Sequence, residues 1–320
     1  MSLVDRLANS LARHYHQLDR DVPLAVHETV AVREVGWLER HCRGALGLGS
    51  GNWQTQLEQS VRDMVQLDKP LAYVLGTQPF HPLEVDLVVR SPTLVPRPET
   101  EHWCLHLSDT ILLESQRRRR RGKLRILDIG TGTGCIALGL TKSLSNAFDV
   151  ETVAIDQSRD AVELARENAE RCRLDDRVDV RQLDLFRDDF VSRALLNDDD
   201  DGARFDLVVS NPPYITRTEF ETLDKSVRDW EDRKALVGER DAADSIEPDD
   251  GLIFYTRITS ILDELVVPGG GGTPNVAFEV GKGQARRVEA MLRLRGYDAE
   301  VVSDPWGVER AVFGWRKRGT

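Results

Sequence analysis

Apolar positions in residues 1 to about 78 recur at helical spacing, with no strand-like alternation. Val30–Leu38 and Trp53–Val61 each carry one apolar face, and glycines at 44, 47, 49 and 51 separate them. A small helical bundle is predicted there. Leu83, Val85, Leu87 and Val89 then alternate with polar residues, which predicts a half-buried strand over Leu83–Arg90. It would form part of a hairpin that ends before Pro92 and Pro96 and links two domains. From about residue 103 onward, strand and helix patterns alternate. Leu124–Ile129 reads as a buried strand, Cys135–Leu140 as a helix and Val153–Asp156 as a strand. Ala161, Leu164, Ala165, Ala169 and Cys172 lie at helical spacing behind an N-cap at Ser158. Val178–Leu183, the apolar run Leu207–Val209 and finally Ala311–Trp315 read as further strands. Such alternation predicts an α/β fold with a doubly wound, mostly parallel sheet. The expected division is a helical domain over 1–78, a hairpin linker over 79–102 and a catalytic domain over 103–320.

Three low-complexity runs, Arg117–Arg121, Asp198–Asp201 and Gly269–Gly272, fall between predicted elements and read as solvated loops. The Arg run has a second reading, as a contact to ribosomal or transfer RNA. A chain of 320 residues, 40% hydrophobic, holds a large core plus a smaller module. Its formal net charge of −11 argues against a broad phosphate-binding surface. Cys42, Cys104, Cys135 and Cys172 are far apart and lack metal-ligand spacing, so buried or half-buried thiols in a reducing compartment are expected. No apolar stretch approaches the ~20 residues of a membrane span. Arg6, Arg13 and Arg20, with apolar residues between them, resemble a mitochondrial presequence, while Asp5 and Asp19 run against that reading.

The candidate chemistry begins at Asn211-Pro212-Pro213-Tyr214, directly after the Leu207–Val209 strand. Two prolines end the strand and stiffen the turn, since each fixes its own φ and Pro213 also restricts Pro212. Asn211 and Tyr214 are thereby held at the carboxyl end of a strand, where open α/β sheets bind ligands. The turn suits a planar amino group on a trigonal carbon. The Asn211 amide oxygen and the Pro212 carbonyl can each accept an N–H, and the Tyr214 ring can pack on the flat face. A rigid strand-to-loop turn with an Asn cap is the plainer alternative. Gly130-Thr131-Gly132-Thr133-Gly134 follows the Leu124–Ile129 strand and lets a ligand approach backbone amides. Asp156 ends the next strand, where dinucleotide-type folds place a ribose-binding carboxylate. The spacing G-x-G-x-G differs from the dinucleotide G-x-G-x-x-G and favours a nucleoside over a pyrophosphate.

Taken with Val95-Pro96-Arg97-Pro98-Glu99-Thr100-Glu101, these pieces resemble the HemK/PrmC family of release-factor glutamine methyltransferases. Leu71–Gly76, Ala235–Gly238, Asp250–Leu252 and Phe278–Gly281 extend the resemblance over roughly residues 25 to 316. It implies a seven-stranded Rossmann-like sheet whose final strand is antiparallel, a substrate-docking helical domain, and S-adenosyl-L-methionine as methyl donor. The implied substrate is the glutamine amide in the Gly-Gly-Gln tip of a peptide-chain release factor. Asn211 and Pro212 would hold that amide, Tyr214 would pack on it and Pro213 would supply rigidity. Gly130, Thr131, Gly132, Thr133 and Gly134 would wall the methionine part of the cofactor, with Asn211 beside it. Asp156 would take the ribose, Asp184 the adenine amino group, and Leu185 would line its face, where many relatives carry an aromatic. A turn acid is the alternative for Asp184. Arg97, Thr100 and Glu101 would close over cofactor and glutamine, with an ion pair and helix cap as the alternative. Glu279 and Gly281 are read as turn geometry, and His81 and His102 as non-catalytic.

A nucleic-acid amino methyltransferase and a non-catalytic cofactor-binding scaffold are the rival readings. The expected partner is a release factor, with no metal, no stable nucleic-acid binding, no membrane and a monomeric chain. Trp37–His41 and the three inserts resemble eukaryotic organellar members most, so a mitochondrial location is expected, with the cytoplasm as the alternative.

Overall fold

Ser2 starts the first helix with a reciprocal cap: its hydroxyl accepts the Asp5 amide, and the Asp5 carboxylate accepts the Ser2 amide. The computed structural model describes residues 1–46, 52–118, 122–196, 204–240, 248–268 and 272–317. Most of the Arg117–Arg121 run, all of Asp198–Asp201, most of Gly269–Gly272 and the glycines at 47, 49 and 51 lie outside the described residues.

One compact unit comprises Met1–Thr77 together with Asp224–Trp230. Its helices are α1 (Leu3–Leu18), α2 (Leu24–Leu46), α3 (Trp53–Leu67) and α4 (Leu71–Leu75), followed by β1 (Thr77–Gln78). Leu11 of α1, Ala31, Val35 and Leu38 of α2, and Leu57 and Val61 of α3 make a common core. The spacing of these residues is the one-faced helical pattern read from the sequence. Segment 1–20, which resembles a presequence, thus contributes Ala8, Leu11 and Ala12 to a folded core. Trp230 joins this unit through its indole N–H, which donates to the Leu67 carbonyl at 2.9 Å, and through the Tyr73 ring 6.3 Å away. Segment 224–230 therefore departs from the expected catalytic span of 103–320. No periodicity marks it in the sequence.

The second unit holds β2 (Leu87–Val88), α5 (Pro98–Arg118), β3 (Lys123–Ile129), α6 (Cys135–Leu144), β4 (Asp149–Asp156) and α7 (Arg159–Cys172). It continues through β5 (Val178–Gln182), α8 (Phe190–Leu195), β6 (Leu207–Ser210) and α9 (Arg217–Phe220). After α10 (Lys225–Arg228), which belongs to the helical unit, come α11 (Arg233–Leu236), α12 (Ile253–Leu265), β7 (Val276–Glu279), α13 (Ala285–Leu294), β8 (Tyr297–Ser303) and β9 (Glu309–Arg316).

The strand expected over Leu83–Arg90 shrinks to two residues, and Val85 is exposed. Its backbone groups bond to side chains of α7 instead of a long ladder. Asn168 accepts the Val88 N–H at 2.7 Å and donates to the Val88 carbonyl at 3.0 Å, while Arg171 donates to the Asp86 carbonyl. The expected linker 79–102 also ends earlier, since α5 begins at Pro98, a residue suited to the first helical position, with Glu99 and Glu101 in the first turn.

The seven strands run in the order β5-β4-β3-β6-β7-β9-β8, and β9 alone runs against the direction of the other six. This is the seven-stranded, doubly wound sheet with one antiparallel strand that the sequence resemblance implies. Alternate residues of β3 feed opposite faces. Ile126 packs with α5, α6 and α7, and Leu127 packs with α8, α12 and α13. Register sets Ile155 and Ser210 level with Ile129 on either side. Gly130, Asp156 and Asn211 therefore leave the sheet side by side at its carboxyl edge, where strand order reverses. Cys42, Cys104 and Cys135 are buried free thiols and Cys172 is half-buried. No helix among the described residues is long and apolar enough to cross a membrane.

Candidate functional site

A cavity of about 480 Å³ opens at this switch point, lined by Gly130, Gly132, Asp156, Asp184, Leu185, Asn211, Pro212 and Pro213. That size suits a nucleoside-sized ligand. Gly130 and Gly132 adopt left-handed φ values of 77° and 55°, which a side chain disfavours. A Cβ on Gly132 would meet nothing within 4 Å, so the missing side chain leaves open space against the backbone. The Gly130 and Thr131 amides both donate to the Ile155 carbonyl and tie the loop to β4. Thr131, Thr133 and Gly134, expected on the cofactor wall, do not line the cavity. Thr131 and Thr133 are buried; the Thr131 hydroxyl donates to Asp128 at 2.7 Å, and the Thr133 carbonyl accepts from Asn168. Gly134 caps α6 against Leu138 and Ala165. Their polar groups serve the loop from behind.

Asp156 accepts the Gly132 amide on one carboxylate oxygen and the Ser158 amide on the other, each at 2.9 Å. Burial raises its pKa and the two amides oppose that rise. Each oxygen keeps a second lone pair for a ligand hydroxyl. Asp184 accepts the Phe186 amide on Oδ1, so it is a turn acid that also lines the cavity. Leu185 lines the cavity as expected of it, and Phe186 and Phe254, whose rings meet edge to face at 5.1 Å, add aromatic surface to the wall. Asp232, Lys234 and Ala235 of the α11 segment form a further part of the wall.

Asp128, a residue of β3 just ahead of the glycine loop, lies fully buried beneath it. Its Oδ2 accepts from the Thr131 hydroxyl, and that bond together with the Ala137 amide at the start of α6 favours the ionised form. Burial pushes its pKa up to about 7. Because the folded value lies above the unfolded one, the stabilisation is complete below pH ~4 and is lost as pH rises through 7. The expected loss is up to about 4 kcal/mol for the ligand-free protein. Asp128→Asn should flatten that slope in urea unfolding between pH 4.5 and 7.5. Parallel curves for the two proteins would place the proton elsewhere.

At the turn, neither the Asn211 side-chain amide nor the Pro212 carbonyl bonds to another described residue, and both line the cavity. The turn itself is clasped from behind. Gln284 Nε2 donates to the Tyr214 carbonyl at 2.9 Å and its Oε1 accepts the Gly281 amide. A Cβ on Gly251 would lie 2.0 Å from the Tyr214 carbonyl oxygen, and one on Gly281 would lie 2.9 Å from Tyr214 Cδ2. Gly238 approaches Gly251 as closely. The pieces Ala235–Gly238, Asp250–Leu252 and Phe278–Gly281 thus converge on Tyr214.

Glu279 departs from the reading as turn geometry. Its buried carboxylate accepts from Thr100 Oγ1 at 2.6 Å and Trp103 Nε1 at 2.7 Å, both on Oε2, and from the Tyr214 hydroxyl at 3.4 Å on Oε1. Thr100 is therefore engaged here and does not line the cavity. Glu101 accepts the His81 amide at 2.7 Å. Arg97 places Nη2 on both oxygens of the buried Glu231, at 2.6 and 2.7 Å. That ion pair, with the Asp232 amide on the Pro92 carbonyl, joins two cavity-lining segments. Neither His81 nor His102 lines the cavity.

A methyltransferase-domain family matches residues 121–236. A release factor glutamine methyltransferase of Geobacter sulfurreducens is 38% identical over 247 residues, which is 77% of this chain and 73% of that protein. The protein of the same name from Bacteroides thetaiotaomicron is 34% identical over 81% of this chain and 80% of its own length. That of Salmonella typhimurium is 34% identical over 80% of each. Among solved structures, the human Mettl16 catalytic domain in complex with an RNA hairpin of the MAT2A 3′UTR aligns with a TM-score of 0.50 at 15% identity. It covers 83% of this chain and 80% of that one, a likeness of fold alone.

Proposed function

The chain belongs to the release factor glutamine methyltransferases, enzymes dependent on S-adenosyl-L-methionine, and from that membership we propose that it methylates the side-chain amide of a release-factor glutamine. The observation that carries the reading is a pair of acceptors without a partner among the described residues, the Asn211 amide oxygen and the Pro212 carbonyl, on two residues that line a nucleoside-sized cavity.

The residues present fit the cofactor. Open backbone at Gly132 and two amide-anchored oxygens on the cavity-lining Asp156 suit its amino-acid and ribose parts. When bound, S-adenosyl-L-methionine supplies a methyl group on a sulfonium, already a good leaving group. Asn211 and Pro212 would each accept one N–H of the glutamine amide. Two acceptors on one nitrogen favour its pyramidal form and expose the lone pair that resonance otherwise withdraws. Positioning of this kind can account for several kcal/mol of the barrier. The nitrogen sheds its extra proton once methylated, so no strong base is required at the site.

Methyl transfer from labelled S-adenosyl-L-methionine tests the reading. The purified protein is offered an intact release factor, its Gly-Gly-Gln→Gly-Gly-Ala variant, and RNA and DNA. Label on the intact factor alone is expected. Label on nucleic acid alone would mean that the turn holds a base.

A further inference from the structure

Glu279 sits within reach of the amide-binding turn but outside the cofactor cavity, and three hydrogen-bond donors converge on it. Resting on the glutamine reading above, we propose that Glu279 is a positioning residue that holds the Tyr214 hydroxyl proton on its own carboxylate, keeping the amide site free of donors.

The chemistry of the substrate gives that arrangement its purpose. A donor on the amide carbonyl oxygen would increase C–N double-bond character and withdraw the nitrogen lone pair. Acceptors on the N–H groups do the opposite, and Asn211 and Pro212 provide them. Tyr214 is the one turn residue with a hydroxyl, and a phenol can both donate and accept. Its hydrogen must therefore be directed, and the geometry directs it to Glu279 Oε1. The other oxygen, Oε2, is already engaged by Thr100 and Trp103. An indole N–H can only donate, so the atom at the Oε2 position must be an acceptor. The Tyr255 hydroxyl donates to the Glu279 carbonyl at 2.8 Å and holds the backbone from the other side.

Glu279→Gln then reverses one hydrogen bond at nearly constant shape. Trp103 requires the Gln carbonyl oxygen at the Oε2 position, which puts the NH₂ at Oε1. That NH₂ donates to Tyr214, whose own hydrogen turns away. With the release-factor substrate, kcat should fall about tenfold. Tyr214→Phe keeps the ring that packs on the amide but has no hydroxyl to misdirect, so its kcat should exceed that of Glu279→Gln. Adding Tyr214→Phe to Glu279→Gln should restore kcat to that of Tyr214→Phe alone. A merely structural role for Glu279 would not be rescued by removing an oxygen elsewhere. A double variant as slow as Glu279→Gln, or a Glu279→Gln enzyme as fast as wild type, overturns the proposal. Absence of label with the wild-type enzyme would instead overturn the glutamine reading itself.

A second measurement needs no change at Glu279. Protonated Glu279 would carry its hydrogen on Oε1 and invert the same bond, so wild-type kcat should fall with acid along a limb that Tyr214→Phe lacks. Burial places that limb above the ordinary carboxyl range. The groups facing Glu279 are Glu99 and Cys104 on α5, Cys135 on α6, Tyr214 and Tyr255. Arg97 and Arg310 reach Tyr214. Identical acid limbs in the two enzymes would assign the titration to one of these neighbours and overturn the proposal.

Discussion

Asn211→Ala should lower kcat/KM for the release-factor substrate by 10²–10³, on the order of 3–4 kcal/mol, the loss seen when one preorganised polar contact is removed from a reacting centre. The substitution deletes the amide oxygen proposed to take one N–H and leaves the Pro212 carbonyl with the other. A single acceptor still binds the glutamine but no longer draws both hydrogens out of the amide plane. The deficit should therefore appear mainly in kcat, since the contact strengthens as nitrogen becomes tetrahedral. Folding should be untouched, because the Asn211 side chain bonds to no other described residue and Gln284, Gly251 and Gly281 hold the turn. Cofactor affinity measured by calorimetry should stay within a few-fold of wild type. Normal turnover by Asn211→Ala would sink the assignment of this turn to amide binding.

Much of the site was legible because it lies in short local segments. Strand, glycine loop, strand and carboxylate run consecutively from Leu124 to Asp156, and the two prolines at 212 and 213 announce their own geometry. What stayed hidden depends on long-range pairing. Arg97 meets Glu231 across 134 positions, and Thr100 meets Glu279 across 179. Nothing local distinguishes a strand-end glutamate that gathers three donors from one that faces water. Thr131 and Thr133 alternate with glycines, and only the fold shows that they turn away from the cavity. The period-2 pattern over Leu83–Val89 predicted too long a strand because Asn168 and Arg171 satisfy its backbone from a helix. Phe254 carries no signal in its own segment; it reaches the cavity only because α12 packs beside Phe186.

Asp156→Ala should raise the dissociation constant for S-adenosyl-L-methionine at least about 100-fold, close to 3 kcal/mol, because each hydrogen bond to a charged group contributes roughly 1.5–3 kcal/mol. Two routes lead to such a loss. The carboxylate is proposed to grip the ribose hydroxyls, but it also holds the Gly132 and Ser158 amides. Asparagine does not separate the two, since its NH₂ would confront whichever amide its oxygen does not accept. The ligand separates them instead. An S-adenosylhomocysteine analogue lacking the 2′ and 3′ hydroxyls should bind wild type weakly, and Asp156→Ala almost equally weakly. The substitution and the ligand change would then be strongly coupled, as expected for groups in direct contact. If Asp156→Ala weakens the dideoxy analogue as much as the parent nucleoside, the carboxylate acts by fixing the glycine loop. If affinity for the parent is unchanged, the ribose contact passes to Asp184 or Asp232, the other carboxylates that line the cavity.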